Sequence, residues 1–83
     1  MVEKKYNSNG HQNLFGNYIR DLRIQRGIGQ RELARKIEVS ASYLNDIEKN
    51  KRPAPRSEII KALAGILEAD DETINDLAGN LPE

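Results

Sequence analysis

Two short helix-patterned segments, separated by almost nothing, constrain this chain most. Residues 29–37 carry Leu33, Ala34 and Ile37 on one face, and residues 40–49 carry Leu44 and Ile47. Apolar positions three and four apart make a helical stripe rather than the alternation of a strand. Only Glu38 and Val39 lie between the segments, and Ser40 is a strong N-cap for the second. The chain must therefore place two helices side by side across a tight turn.

The remaining residues supply helices for this pair to pack against. Phe15, Ile19 and Leu22 recur at i, i+4 and i+7, and Gly27 provides the left-handed residue that ends a helix easily. Gly29 is an acceptable N-cap for the second helix, with Glu32 well placed for its dipole. Asn50 is a plausible stop for the third helix, since Asn tolerates positive φ better than most residues. Lys51-Arg52-Pro53-Ala54-Pro55 cannot be helical throughout and reads as a stiff basic loop. A fourth helix is predicted from about Arg56 to Leu67, with Ile60, Leu63, Ala64 and Leu67 inward. Asp70 caps a fifth, with Ile74, Leu77 and Ala78 inward and Gly79-Asn80 as its stop. No segment reads as a strand. The expected architecture is all-α: a compact five-helix domain over residues 14–80, a flexible arm over 1–13 and a short tail over 81–83. His11 in the arm reads as an exposed residue, and Lys4 and Lys5 read first as part of a floppy tail and only second as cations that brush a phosphate backbone.

Composition narrows the function. Hydrophobic residues make up 37% of the 83 residues, so the core is small and leaves little room for an enclosed active site. There is no Cys and a single His, which excludes disulfides, thiolate metal sites and an imidazole cluster. No apolar run approaches the roughly 18 residues of a bilayer span, and no signal-peptide pattern opens the chain. A cytoplasmic protein is expected. No paired carboxylates, nucleophile-base set, phosphate-binding Gly loop or metal spacing supports an enzyme, and no cofactor is expected. The net charge of zero hides a segregation. Residues 1–52 hold eleven basic and six acidic residues, a surplus of five, and residues 53–83 hold two basic and seven acidic, the opposite surplus. A basic face on the first half can meet an anion while the acidic half faces away; ordinary solvated surfaces give the same split.

The helix pair over about 29–49 has the geometry of a helix-turn-helix, whose second helix enters the DNA major groove while the first lies across the backbone. A ten-residue helix is roughly 15 Å long, and the groove is about 12 Å wide. Pairs of this kind also occur in proteins that never touch DNA. The residues are more specific. The run Leu22-Arg23-Ile24-Gln25-Arg26-Gly27-Ile28-Gly29-Gln30-Arg31-Glu32-Leu33-Ala34, continued by Ile37-Glu38-Val39-Ser40-Ala41-Ser42-Tyr43-Leu44-Asn45-Asp46-Ile47-Glu48 and by Leu63-Ala64 and Leu67, resembles the Cro/repressor-type, or XRE, helix-turn-helix family. The resemblance covers about residues 15–79. It implies a lambda-repressor-like five-helix domain that binds operator DNA, commonly as a dimer. The chain departs from the family at three points: Glu38 stands where the turn usually has Gly, Gly29 where a Ser or Thr cap is usual, and Asn50 where Gly usually follows the third helix.

The resemblance also implies residue roles. Ala41, Ser42, Asn45 and Asp46 fall where the family reads bases: Ala41 by contact with a thymine methyl, Asn45 by a bidentate bond to adenine, Asp46 by accepting from cytosine or instead by pairing with a nearby cation. Small side chains there leave part of the specificity to operator shape. Gln30 matches the family's Gln at the start of the second helix, where its side chain and the helix N-terminus donate to a phosphate. Arg31, Ser40, Tyr43, Lys49, Lys51 and Arg52 are the other expected backbone contacts, with Tyr43 equally suited to packing; Arg20 and Arg35 are open. Arg23 and Glu48 match a partly buried salt bridge that ties the first helix to the third.

The function expected is a sequence-specific DNA-binding transcriptional regulator, a repressor reading a near-palindromic operator as a homodimer. The acidic fourth and fifth helices, with Ile59 and Ile66 left over from the core, are candidates for the dimer contact. The alternative is an antitoxin-like or other interaction module whose acidic C-terminal half meets a basic protein partner, with DNA binding secondary.

Overall fold

The computed structural model describes residues 14–79; the predicted arm, with Lys4, Lys5 and His11, and the predicted tail lie outside the described residues. Five helices follow one another: α1 (Phe15–Gln25), α2 (Gln30–Lys36), α3 (Ala41–Glu48), α4 (Ser57–Leu67) and α5 (Asp71–Leu77). No strand occurs among the described residues. Helix α1 is the hub. It packs against α3, α4 and α5, while α2 packs on α3 and α5 on α4.

Each helix stops for a local reason. At the end of α1, Gly27 has φ +70, its N–H donates to the Ile24 carbonyl at 3.0 Å, and the Ile28 N–H donates to Arg23 at 3.1 Å. This is the paired Schellman pattern, which needs a left-handed residue just past the helix. The same pair of bonds closes α2 around Glu38 (φ 62), from Glu38 to Arg35 and from Val39 to Ala34. It closes α3 around Asn50 (φ 60), from Asn50 to Ile47 and from Lys51 to Asp46. Glu68 ends α4 in the left-handed region at φ 57, and Gly79 follows α5 at φ 80. At the starts, Ser40 Oγ accepts from the Tyr43 N–H at 3.0 Å and Asp70 Oδ2 from the Thr73 N–H at 2.9 Å. Each satisfies an amide that the first turn leaves without a partner.

The core draws on all five helices. Ile19, Leu33, Leu44, Leu63, Leu67 and Ile74 are its fully buried side chains. Phe15, Tyr18, Ile37, Ile47, Ile59 and Ile60 complete its apolar bulk. Burial of Ile59 corrects its reading as surplus to the core. Helix α4 is packed by α1 on one side and α5 on another, so its apolar face is wide enough to bury two successive isoleucines. Ile66 is half-buried. Arg26 ties α1 to the end of α4, its Nε donating to the Leu67 carbonyl at 2.7 Å.

Two contacts set the position of α1 on α3. Gly16 lies so close to the end of α3 that a Cβ there would fall 2.7 Å from the Glu48 carbonyl oxygen and would also collide with that of Ile47. The Asn50 side chain then donates through Nδ2 to Asn17 Oδ1 at 2.7 Å and accepts from the Gly16 N–H at 2.9 Å.

Candidate nucleic-acid interface

The buried foundation of the helix pair is an ion pair. Arg23 on α1 meets the last residue of α3 through two bonds, Nε to Glu48 Oε2 at 2.7 Å and Nη2 to Glu48 Oε1 at 3.0 Å. Its Nη1 also donates to the Ile28 carbonyl at 3.0 Å. The Glu48 side chain is 2% exposed and the Arg23 side chain 13%. A bidentate fork of this kind fixes orientation as well as charge. A residue in the last turn of α1, one at the end of α3 and the turn before α2 are thus locked together.

Above this foundation α3 turns its other face outward. Leu44 and Ile47 point into the core, Ser42 is exposed, and Ala41, Asn45 and Asp46 are half-buried. The four residues expected to read bases therefore share the accessible side of one helix, with Ala41 partly packed on the core. The cations stand around that helix. Arg31 is exposed on α2, and Lys49, Lys51 and Arg52 are exposed just past α3. Arg20 and Arg35 are also exposed. Ser40 is occupied as the α3 cap, which leaves its hydroxyl hydrogen uncommitted by that bond.

Asp46 follows the second of its two expected roles in the free protein: Arg52 Nε lies 3.3 Å from Asp46 Oδ2. The same guanidinium sits over the Tyr43 ring, 5.1 Å from its centroid. Tyr43 is half-buried and packed on the core, so ring, guanidinium and carboxylate form a small cluster along one side of α3. The pair is accessible enough that its energy is small, roughly 0–1 kcal/mol. Its effect is to offset the negative charge of Asp46 where an anion would approach.

In the free protein the Gln30 side chain is engaged within the fold. Its Nε2 donates to Glu48 Oε1 at 3.1 Å and to Asn45 Oδ1 at 3.3 Å. The amide nitrogen thus has two acceptors within the protein. Sequence reasoning missed this connection because its partners are 15 and 18 positions away. It also missed Asn50 as a clamp on α1.

A shallow groove between the end of α2 and the start of α4 is lined by Lys36, Ile37, Glu38, Arg56, Glu58, Ile59 and Ala62. None of the α3 residues lines it. Among the described residues no group of three or more His, Cys, Asp or Glu side chains is arranged to hold a metal ion, and no helix is long and apolar enough to cross a membrane.

Comparison with known proteins agrees with this architecture. The chain is similar to the clp gene regulator ClgR from Corynebacterium glutamicum, with a TM-score of 0.68 and 27% identity over 80% of this chain and 69% of that one. It is similar to the N-terminal DNA-binding domain of SinR from Bacillus subtilis, with a TM-score of 0.67 and 29% identity over 75% of this chain and 90% of that one. No curated protein sequence matches it. The family model described as a helix-turn-helix domain matches residues 14–77, from the residue before α1 to the end of α5. With that match spanning most of its length, and with α2 and α3 as the motif, the chain belongs to the helix-turn-helix domain family.

Proposed function

We propose that the protein is a sequence-specific DNA-binding transcriptional regulator that lays α3 in the major groove. The observation that carries this reading is the outward face of α3, where Ser42, Asn45 and Asp46 stand accessible between exposed cations before and after the helix. Ala41, Ser42, Asn45 and Asp46 are the base-reading set. Gln30, Arg31, Ser40, Tyr43, Lys49, Lys51 and Arg52 are the backbone set, positioning the helix without specifying sequence. Similarity to the SinR DNA-binding domain and to the regulator ClgR supports the same role.

A single α3 reads only a few base pairs, so a homodimer acting as a repressor on a near-palindromic operator fits best. Two copies would place their α3 helices about 34 Å apart on one face of the duplex. The test is selection of sites from randomised duplex DNA by the purified protein at two salt concentrations. Enrichment of an inverted repeat with half-sites about one helical turn apart is expected. Absence of any enriched sequence overturns the reading.

One feature favours a second reading, an antitoxin-like interaction module. Glu58, Glu68, Asp71, Glu72 and Asp76 are exposed on α4 and α5 or just past them, giving a basic protein partner an acidic surface. That reading predicts a tight protein complex alongside weak, sequence-indifferent DNA binding.

A further inference from the structure

Three side chains gather beside the reading face of α3. Tyr43 and Asp46 are three residues apart on that helix, which makes them neighbours along one side of it. Arg52 reaches them from beyond the helix end: the Schellman turn at Asn50 redirects the backbone, and Pro53 disfavours a helical conformation at Arg52. Its Nε donates to Asp46 Oδ2 at 3.3 Å, and its guanidinium carbon lies 5.1 Å from the centroid of the Tyr43 ring, which is packed on the core. Ring and carboxylate thus hold the guanidinium from two directions. The Nε bond occupies one of the five N–H groups of a guanidinium. The others are on the two Nη nitrogens, whose shared edge is a fork that fits a phosphate, and among the described residues no acceptor takes them. Asp46 keeps capacity as well, since a carboxylate offers about four lone-pair sites and Oδ1 has no partner among the described residues.

We infer that Arg52 is a specificity-determining positioning residue: it bridges Asp46 to an operator phosphate and so holds the Asp46 carboxylate in the groove, as an acceptor that selects an amino-bearing base, adenine or cytosine, over guanine or thymine. The inference rests on the DNA-reading role proposed for α3. A bare carboxylate on that face is repelled by the phosphates flanking the groove, which weakens binding to every sequence. Paired with Arg52, it can approach. The pairing does not use up the acceptor, because Arg52 takes Oδ2 and leaves Oδ1 open. A carboxylate has no hydrogen to give, so guanine O6 and N7 and thymine O4 meet it lone pair to lone pair, whereas cytosine N4 and adenine N6 donate to it. Arg52→Lys would carry the same charge to a phosphate, but an ammonium lacks the planar fork whose opposite edges reach two anions at once.

The test is binding of the purified protein to its selected site and to single-pair variants of that site, at two salt concentrations. The base pair read by Asp46 is located first, as the position whose preference is lost in Asp46→Ala. There the wild type is expected to take adenine or cytosine on one strand, and exchange for guanine or thymine is expected to weaken binding at least about fivefold, the lower end for one mismatched pair. Arg52→Lys keeps the charge of an exposed side chain, so its melting temperature and salt dependence are expected to match the wild type, while the preference at that pair falls within about twofold. A wild-type preference for guanine or thymine at that pair overturns the inference. So does an Arg52→Lys variant that keeps the full preference, and so does one that weakens binding equally with all four bases there, which is the signature of a phosphate contact alone. A site enriched by the wild type without any pair that depends on Asp46 defeats the inference and leaves the DNA-reading role standing. If the wild type enriches no site at all, that role fails and the inference with it.

Discussion

The Asn50 side-chain oxygen accepts from the backbone N–H of Gly16 at 2.9 Å, across 34 positions of sequence. Gly16 is the second residue of α1, and Leu14, which precedes that helix, makes no side-chain capping bond. An N-cap side chain normally satisfies this very amide. Asn50 does so from the far end of α3, and it can reach because Gly16 has no side chain to hold the helices apart. Gly16→Ala would push a methyl group into the carbonyls of Ile47 and Glu48. Overpacking of this kind costs typically about 1–3 kcal/mol, and with the cap displaced as well the upper end is expected. Urea unfolding of the variant should show a lowered midpoint; an unchanged midpoint would mean that α1 and α3 can separate without penalty.

The Arg23–Glu48 pair sits next to this contact and is expected to matter more. Removing one partner strands the other in a nearly dry site, at a cost of roughly 3–5 kcal/mol. Glu48→Ala also removes the acceptor that holds Gln30. A loss of about 3 kcal/mol lowers the melting temperature by more than about 12 °C in a domain of this size. Stability should fall first and DNA binding second. A melting temperature that Glu48→Ala leaves unchanged is incompatible with a structural bridge.

Glu38 holds φ 62 in the turn between α2 and α3. The left-handed conformation costs a residue with a Cβ roughly 1–2 kcal/mol, partly offset by the lower chain entropy of a non-glycine residue in the unfolded state. Glu38→Gly is therefore expected to stabilise the protein by about 0.5–1 kcal/mol, since Glu38 is exposed and its backbone bonds do not depend on its side chain. Differential scanning calorimetry would check this; a lowered melting temperature would show that the carboxylate has a stabilising partner after all.

These contacts also mark the limit of what the sequence reveals. The five helices are legible because Gly27, Asn50, Gly79 and the caps Ser40 and Asp70 punctuate apolar stripes of helical period. Glu38 was legible as a strained turn only through the family resemblance. Glu68, left-handed at the end of α4, carries no stop signal because Glu is a good helix former. Tyr18, three residues after Phe15 and four before Leu22, falls on the same helical stripe and is 5% exposed, although its hydroxyl kept it out of the apolar pattern. At the interface, the positions on α3 follow from helical period alone. The directions of the Gln30 and Asn45 amides do not, because they are set by bonds that cross between α1, α2 and α3. A local pattern gives the face of a helix, but the orientation of a side chain on that face is a tertiary property.

Burial of Tyr18 has a consequence for alkaline stability. Desolvation pushes its hydroxyl above the ordinary 10.0, opposed in part by hydrogen bonding with the Asp70 backbone. The charged form is thus disfavoured in the folded state and accessible in the unfolded one. The unfolded chain loses this proton first, so the stabilisation is complete below about pH 10 and is lost as pH rises through the folded value. As pH rises above about 10, wild-type stability should fall more steeply than that of Tyr18→Phe, measured by urea melts at each pH. Parallel curves would show that Tyr18 ionises equally well in both states.

If α3 reads DNA as proposed, the cations past its end act through phosphates and their signature is in the salt dependence. Lys51 is exposed and follows the Schellman turn that closes α3. Its contact would carry charge but no sequence information, because a phosphate is the same beside every base. Each phosphate neutralised by the protein contributes about −0.9 to the slope of log K against log salt concentration on duplex DNA. Lys51→Ala is accordingly expected to weaken binding by a similar factor on operator and non-operator DNA, and to make the slope shallower by roughly one. Asn45→Ala should do the reverse, flattening base preference while leaving the slope near its wild-type value. Fluorescence anisotropy titrations at several salt concentrations separate the two. A Lys51→Ala variant with an unaltered slope would place that side chain away from the backbone, and a wild-type affinity indifferent to salt would contradict the phosphate contacts as a set.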